Sequence, residues 1–322
     1  MSSEAPLQRH ALNGETMGTR YSAVFFAPAG IDLGAIGAAL FAGVDRVDCQ
    51  MSTWKADSDL SRLNAAPLQQ WQPVPPQLWT VLDAALRVGR ESGGAFDIGV
   101  GDVVNAWGFG SAAPQPNAQQ IRALGQRSHR PASDLLEMDA AQQRVRKQGA
   151  LALDLSGIAK GYGVDALAHC LDGFGVRHYL VGIDGEMRAK GSKPGGQAWA
   201  VAIEKPLRHL RDVMGVMELA DAAIATSGDY RHWFELAGQH YAHTIHPASG
   251  RPLDNRLASV TVVMPSCMLA DAWATALLVL GAPAATELAQ QRGMTALLVL
   301  RNLSDAGDAF EQISLVDGVL QP

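Results

Sequence analysis

The sequence is poor in cysteine and lacks the common nucleotide-binding loops. Its three cysteines, Cys49, Cys170 and Cys267, are far apart and form no Cys-x-x-Cys pair. Such a set excludes a disulfide framework and a thiolate metal site. The Gly-x-Gly-x-x-Gly fingerprint and the Gly-Lys-Ser/Thr ending of a Walker loop are also missing. Dehydrogenase and P-loop folds are therefore not expected.

Positive charge and long apolar runs are scarce as well. The 322 residues include 26 Lys and Arg against 32 Asp and Glu, a net charge of −6, so no electrostatic footprint for nucleic acid exists. No run reaches the roughly 18 apolar residues of a membrane span. The first residues have no apolar core, so no signal peptide is expected. An anionic ligand would need a local pocket of backbone amides and a metal ion.

The apolar pattern predicts helices and strands throughout the chain. One helix is expected at 32–47, capped by Asp32, and a second, short helix is expected after its cap Ser58. Further helices are expected at 77–92, 157–171, 269–280 and 284–292. Strands are expected at 19–27, 143–147, 151–155, 179–183, 198–204, 213–219, 222–227, 232–237, 258–264 and 295–300. Strands in runs favour an α+β fold with a largely antiparallel sheet and flanking helices. Residues 1–14 are predicted to be a loose leader before one two-lobed domain at 15–322.

The segment DLSGIAKGYGVD at 154–165 follows an apolar run and opens a predicted helix. An anion at such a helix start meets unpaired backbone N–H groups and the positive end of the helix dipole. Gly157 allows a close approach of a ligand, Lys160 adds a positive charge, and Asp154 can bond a ring N–H or support a cation. The alternative is an ordinary strand-to-helix turn with a solvated lysine.

A carboxylate and a hydroxyl share one face of the apolar helix LADAWATALLVLG at 269–281. Asp271 and Thr275 are four residues apart, so both side chains project from the same side. Oxygen ligands of this kind suit Mg²⁺, which keeps further positions for phosphate oxygens. In the alternative, Asp271 caps the helix and Thr275 bonds back to a carbonyl.

Three histidines, His240, His243 and His246, precede a Pro-Gly turn at three-residue spacing. A zinc site is disfavoured because Pro247 and the β-branched residues break any helix that would align the ligands. In an extended segment, His243 faces away from the other two. A histidine here becomes a candidate base for a hydroxyl nucleophile only beside a phosphoryl site.

Taken in order, these segments resemble the ApbE family, the FAD:protein FMN transferases. The resemblance is carried by GETMGTRYS (14–22), MSTWKADSDLSRLN (51–64), GGAFDIGVGDVVNAWGFG (93–110), DLSGIAKGYGVD (154–165), ATSGDYRHW (225–233), HTIHPASGRP (243–252) and DAWATALLVLG (271–281). It implies a flavin cleft between two lobes. The flavin-contacting residues it implies are Met17, Trp54, Ala95, Phe96, Asp97, Asp154, Lys160 and Ile245. It implies Mg²⁺ on Asp271, Thr275 and the Gly157 carbonyl, and it matches His243 to the histidine that activates the acceptor hydroxyl.

The reaction implied by this resemblance is transfer of the FMN half of FAD onto a Ser or Thr hydroxyl of an acceptor flavoprotein, with release of AMP. FAD hydrolysis to FMN and AMP and a non-catalytic FAD-binding carrier are the alternatives. Family members typically modify exported or membrane-bound redox subunits. The resemblance therefore implies a periplasmic location, with a lipid anchor in many members, and a cytoplasmic location is the alternative.

Two positions depart from the family pattern. The family commonly has Asp before the proline at 247, where this chain has His246. If that Asp only shapes the turn, little is lost, whereas activity is in doubt if it tunes the histidine or the metal. The family also often has Gly-Gly-Asp where this chain reads Gly-Ile-Asp-Gly at 182–185. That change is expected to affect how the loop meets the adenosine half of FAD.

Overall fold

The computed structural model describes residues 6–111, 115–126, 128–231, 233–236, 239–302 and 309–322. Its helices are α1 (Leu33–Met51), α2 (Asp59–Ala65), α3 (Pro76–Glu91), α4 (Gly101–Ala106), α5 (Ala118–Gly125), α6 (Ala132–Leu135), α7 (Ala159–Gly173), α8 (Cys267–Leu280) and α9 (Ala282–Gln291). Among the residues in these ranges, no helix is long and apolar enough to span a membrane.

The strands of the described residues form one large sheet and four small ones. In chain order they are β1 (Leu7–Thr16), β2 (Thr19–Pro28), β3 (Gln72–Pro73), β4 (Leu136–Asp139), β5 (Arg144–Lys147), β6 (His178–Ile183), β7 (Glu186–Lys190), β8 (Trp199–Glu204), β9 (Val213–Leu219), β10 (Ala223–Gly228), β11 (Trp233–Leu236), β12 (Gln239–Ala242), β13 (Ile245–His246), β14 (Arg251–Pro252), β15 (Leu257–Met264), β16 (Thr295–Arg301), β17 (Phe310–Val316) and β18 (Val319–Leu320). The large sheet has the order β1-β2-β6-β7-β10-β15-β16-β17-β18. Its neighbouring strands are antiparallel. The predicted α+β class with an antiparallel sheet is confirmed.

The large sheet separates helices on one face from a β-hairpin on the other. In β10, Ala223 and Ala225 pack in apolar clusters that contain α7 and α8 residues, whereas Ile224 packs with β8 and β9. This alternation follows from the two-residue repeat of a strand. We call the β8–β9 hairpin, residues 199–219, the outer ribbon. It packs on the sheet through Trp199, Val201, Ile203 and Leu219.

Both predicted helix caps are confirmed. The Asp32 carboxylate accepts a hydrogen bond from the Ala35 N–H at 2.9 Å, and the Ser58 hydroxyl accepts one from the Ser61 N–H at 2.9 Å. Each bond satisfies an N–H group that a helix start leaves without an intrahelical partner. The caps fix where α1 and α2 begin.

Two predictions about the backbone are wrong. Residues 7–14 are not loose, because they belong to β1, which pairs with β2 along its whole length. Residues 151–155 form no strand, because their backbone groups are bonded elsewhere. The Asn64 side chain bonds both the N–H and the C=O of Leu153, at 2.8 and 2.9 Å, and the Gly101 N–H donates to Ala152 at 3.0 Å.

Candidate functional site

A cavity of about 1020 Å³ lies where α8, the start of α7, the outer ribbon and several loops meet. Residues distant in sequence form its walls. Eleven of the predicted site residues line it: Trp54, Ala95, Phe96, Asp97, Asp154, Gly157, Lys160, His243, Ile245, Asp271 and Thr275. Met17 is not among the lining residues. Its side chain instead packs at the start of α7, where a Cβ built on Gly163 would lie 3.0 Å from Met17 Cε.

The glycine turn before α7 packs directly on the Asp271 and Thr275 face of α8. A Cβ built on Gly157 would lie 3.0 Å from Thr275 Oγ1 and 3.3 Å from Phe96 Cε2. A Cβ on Gly161 would lie only 2.8 Å from Asp271 Cβ and 2.4 Å from the Cys267 carbonyl oxygen. The two glycines therefore let the turn and the helix approach more closely than any side chain would allow.

Asp271 is a buried carboxylate, 4% exposed, in the middle of α8. Its Oδ2 accepts a hydrogen bond from the Gly161 N–H at 3.0 Å. Burial and the Glu186 charge raise the pKa of Asp271 to about 7, against the opposing effects of Lys160 and the Gly161 N–H. Asp271 does not cap α8, because Ser266 does so by accepting from the Leu269 N–H at 3.4 Å.

The start of α7 offers fewer unpaired N–H groups than predicted. The Ala159 N–H donates to the Leu155 carbonyl at 2.9 Å, and the Gly161 N–H is bonded to Asp271. A carboxylate of the protein itself therefore occupies part of this helix start. Lys160 puts positive charge at this end of the cavity, with the α7 dipole behind it, and Arg211 and Arg231 also line the cavity.

Glu186, a residue that the sequence analysis missed, holds Lys160 in place. Lys160 Nζ lies 2.8 Å from Glu186 Oε1 and 3.6 Å from Asp184 Oδ2. Burial by itself would lower the pKa of Lys160, but the carboxylates of Glu186, Asp271 and Asp184 outweigh burial and raise it. Lys160 is therefore a cation. Within the described part of the chain, Glu186 Oε2 is buried and has no hydrogen-bond partner.

The oxygen atoms around Thr275 fit a hard divalent cation. Thr275 Oγ1 lies 2.9 Å from Ser227 Oγ, one helical turn from Asp271 and against the Gly157 turn. Across the described ranges, no group of three or more His, Cys, Asp or Glu could hold a metal. A cation here would take one carboxylate plus hydroxyl and carbonyl oxygens, and the remaining positions would go to phosphate or water. We call Gly157, Lys160, Glu186, Asp271 and Thr275 the inner wall.

The loop at 95–98 is held by its own polar side chains. The Phe96 N–H donates to Ser92 Oγ at 3.0 Å. Asp97 Oδ1 accepts from the N–H groups of Gly99 and Ala132 at 2.8 and 3.0 Å, and its Oδ2 lies 2.9 Å from His129 Nε2. The carboxylate of Asp97 thus shapes the loop that places Phe96 on the cavity.

Asp154 has a similar role in the turn before α7. Its Oδ1 accepts from the Ser156 N–H at 2.7 Å, which bends the chain toward Gly157. Trp54 also lines the cavity and is 72% exposed. An aromatic face so open to the cavity is available for stacking on a planar ligand.

Ile245 reaches the cavity from β13, which forms a short hairpin with β14, and His243 reaches it from the bend between β12 and β13. The hairpin is anchored by Trp107, whose Nε1–H donates to the Gly250 carbonyl at 2.8 Å. The half-buried His243 ring lies 6.4 Å from the Phe109 ring at an edge-on angle of 72°. His246 is exposed and does not line the cavity. The side chain of His240 lies outside the described residues.

Comparison with protein families identifies the family of this chain. The model of the ApbE family matches residues 17–298. The chain belongs to the ApbE family. A FAD:protein FMN transferase of Vibrio cholerae serotype O1 is 38% identical over 303 residues, which are 92% of this chain and 89% of the relative. One from Escherichia coli K12 is 34% identical over 95% of this chain and 88% of its own length.

Solved structures of ApbE proteins have the same fold. A flavin transferase ApbE from Vibrio cholerae superposes with a TM-score of 0.86 at 36% identity, covering 97% of this chain and 99% of its own. A flavinyl transferase ApbE from Pseudomonas stutzeri, in its apo form, gives a TM-score of 0.82 at 34% identity over 96% of both chains.

The structure also places the two departures from the ApbE pattern. His246 contributes to the hairpin turn through its carbonyl, which accepts from the Gly250 N–H at 2.9 Å. Asp184 lies in the β6–β7 turn with a φ of 54°, a left-handed conformation that Asp tolerates better than most residues. There its side chain faces Lys160. Asp184 therefore keeps the carboxylate of the family pattern beside the inner wall, and the second departure is Ile183, which is buried at the end of β6. Neither Ile183 nor His246 lines the cavity.

Proposed function

We propose that this protein transfers the FMN half of FAD onto a Ser or Thr hydroxyl of an acceptor flavoprotein and releases AMP. The observation that carries the proposal is the inner wall itself. It brings two buried carboxylates, one paired lysine and a glycine turn together on one cavity, and relatives that share this fold are named FAD:protein FMN transferase.

The cavity suits a dinucleotide in size and lining. About 1020 Å³ is at the upper end of small-molecule sites. Trp54 and Phe96 offer aromatic surface for isoalloxazine, while Lys160 offers charge for the diphosphate. Because the net charge of the protein is −6, an anion would be attracted by the local cations of the cavity, which are Lys160, Arg211 and Arg231. FAD, planar at one end and charged in the middle, matches this distribution.

Asp271, Thr275 and the Gly157 carbonyl would hold Mg²⁺. A bound Mg²⁺ neutralises charge that develops on phosphoryl oxygens. The buried Asp271, whose pKa is raised to about 7, gains most from a nearby cation, because a positive charge favours its ionised form. Without such a cation, burial and Glu186 work against that form.

The residues of the chain then divide the chemistry between them. His243 takes the proton of the acceptor hydroxyl as its oxygen bonds to the phosphorus on the riboflavin side, a contribution of roughly 10²–10⁴-fold. The bond from that phosphorus to the bridging oxygen breaks, and AMP leaves with the electron pair. Lys160, fixed by Glu186, stabilises the charge of the departing phosphate. One phosphoester thereby replaces one phosphoanhydride bond.

The test is a mass measurement. The protein is incubated with FAD, Mg²⁺ and a purified flavoprotein subunit that a characterised relative modifies. We expect one FMN to be added to the subunit for each AMP released, and we expect a chelator to stop both. AMP without modified subunit would indicate a hydrolase, and no AMP at all would indicate a carrier. Either result refutes the proposal.

We also propose a periplasmic location, as the family resemblance implies for an enzyme that modifies exported redox subunits. The measurement is fractionation of cells that produce the native protein, followed by detection with an antibody. The chain is expected in the periplasmic or membrane fraction. Detection only with cytoplasmic marker proteins would contradict this location.

A further inference from the structure

The outer ribbon carries an exposed apolar patch for which the proposed chemistry has no use. Val213 is 57% exposed and Val216 65%, and Leu210, in the loop between the two strands, is 61% exposed. Ala202, the cross-strand partner of Val216, is exposed as well. Single exposed apolar residues are common on proteins, but grouped ones mark interaction sites.

A β-bulge puts the two valines on the same face of the outer ribbon. Ile203 pairs with Gly215, whereas the next residue, Glu204, pairs with Val213. Met214 therefore has no partner in β8 and is an extra residue in β9. In a regular strand, residues 213 and 216 would point to opposite faces, because their separation is odd. The bulge therefore turns an apolar side chain outward instead of onto the sheet.

The loop beside this patch is basic in an acidic protein. Residues 205–212 hold three cationic side chains and one carboxylate: Lys205, Arg208, Arg211 and Asp212. Glu204, at the end of β8, pairs with Arg231, and no described carboxylate forms an ion pair with the three cations of the loop. Arg208 lies over the Trp233 ring, 5.8 Å from its centroid. Positive charge without an ion-pair partner favours an acidic partner.

The patch is continuous with the cavity. Ala202, Val213 and Arg211 line the cavity, whereas Val216, Leu210 and Arg208 lie outside it. Among the described strands, β8 and β9 pair only with each other, so each has an open edge. An open edge can bond the backbone of an extended segment, whose side chains then meet the ribbon face. Such a segment would lead from the protein surface into the cavity.

We propose that the outer ribbon binds the acceptor protein. An extended acceptor segment places apolar side chains on Val213, Val216 and Leu210 and acidic side chains near the loop at 205–212, with its reactive hydroxyl entering the cavity. This inference rests on the proposed function, since only a transferase needs an acceptor.

The test measures binding of two synthetic peptides to the full chain in the presence of FAD. Both peptides are labelled with fluorescein and have the central sequence Leu-Thr-Val. The acidic peptide has Asp residues on both sides of this sequence, and the basic peptide has Lys residues there instead. By fluorescence anisotropy at low salt, we expect the acidic peptide to bind about fivefold or more tightly than the basic one, with less difference in high salt.

Variants and matched controls locate the binding surface. Lys205→Glu combined with Arg208→Glu is expected to abolish the preference for the acidic peptide, and Val216→Ser is expected to weaken binding of both peptides about threefold. The controls are Arg87→Glu, on the exposed side of α3, and Val319→Ser, at a valine that is 63% exposed on β18. Both controls should bind as the unaltered protein does.

Equal binding of the two peptides, or equal effects of the ribbon variants and their controls, would overturn the proposal. Release of AMP from FAD, measured in parallel, separates this outcome from a failure of the proposed function. If AMP and FMN-modified subunit are formed but neither peptide is preferred, only the ribbon assignment is wrong. If neither product forms, the transferase function fails and the acceptor assignment with it.

Discussion

The inner wall and the outer ribbon face one cavity but differ in almost every physical respect. The inner wall is closely packed and polar, and its charged groups are paired: Lys160 with Glu186, Asp271 with the Gly161 N–H. The outer ribbon is exposed, apolar and cationic, without ion pairs on its loop cations among the described residues. Close packing suits a small ligand of constant shape, whereas an open surface suits a larger and more variable partner.

The largest effect is expected from Asp271→Asn, which tests whether the inner wall alone controls the chemistry. The amide keeps the shape and can still accept from the Gly161 N–H, but it lacks the charge that a cation requires. We expect AMP release and FMN transfer to fall by about 10³-fold or more, measured by chromatography and mass spectrometry. Peptide binding at the outer ribbon should stay unchanged. Activity within about threefold of the parent would remove Asp271 from the site.

His243→Ala is expected to lower the rate of transfer by about 10²-fold or more while leaving FAD affinity nearly unaltered, because a base acts on the proton and not on FAD binding. Single-turnover rates and a fluorescence titration with FAD measure the two quantities separately. His246→Ala, at the exposed neighbouring histidine, is the matched control and should behave as the parent. A parent-like rate in His243→Ala would refute the base assignment.

The third prediction concerns pH and the metal-free protein. The pKa of Asp271 is raised to about 7 in the folded state, above its unfolded value, so protonation stabilises the fold. This stabilisation is complete below the unfolded pKa, near 4, and is lost as pH rises through 7. In a chelator, we expect the free energy of unfolding to fall by a few kcal/mol between pH 4 and pH 8 through this group. In Asp271→Asn, the free energy of unfolding should depend less on pH by the same amount. An equal pH dependence in the variant and the parent would contradict the raised pKa of Asp271.

Two glycines of α7 allow the packing of the inner wall to be tested within one helix. Gly161→Ala is expected to destabilise the protein by about 1–3 kcal/mol, because its Cβ would meet the Cys267 carbonyl at 2.4 Å. Gly173→Ala has nothing within 4 Å of its Cβ and is expected to be neutral or to stabilise by up to about 1 kcal/mol. Urea unfolding compares the two. Equal changes in the free energy of unfolding of the two variants would show that α7 and α8 are not packed this closely at Gly161.

The smallest effect is expected from Glu186→Gln, which removes the charge that holds Lys160. Because Lys160 keeps its positive charge but loses this partner, we expect kcat/KM for FAD to fall about tenfold. Glu186→Asp should recover part of the loss. Glu311→Gln, at an exposed carboxylate on β17, is the control. Unaltered kinetics in Glu186→Gln would show that Lys160 needs no such partner.

Local sequence patterns predicted most of the helices and strands, and they predicted which side chains share one face of α8. The spacing of Asp271 and Thr275 placed them on one helix face, and the caps Asp32 and Ser58 were readable from residue type. β1 was missed because it is an edge strand in which only Thr16 is buried, so its sequence shows no apolar alternation.

Contacts between distant segments were beyond the sequence. Glu186 reaches Lys160 only because the β6–β7 hairpin lies beside α7, and no local pattern records that neighbour. The bonding of the Gly161 N–H to Asp271 is likewise a contact between two helices. The outward turn of Val213 depends on a bulge, which is a property of two paired strands and not of either strand alone.

The most direct test of the central claim is a crystal structure of the protein with FAD and Mn²⁺, with the metal located by its anomalous signal. We expect the metal on Asp271 and Thr275, the FAD diphosphate between the metal and Lys160, and the flavin ring toward Trp54. A metal bound elsewhere, or a diphosphate that lies away from the Gly157 turn, would contradict the central claim.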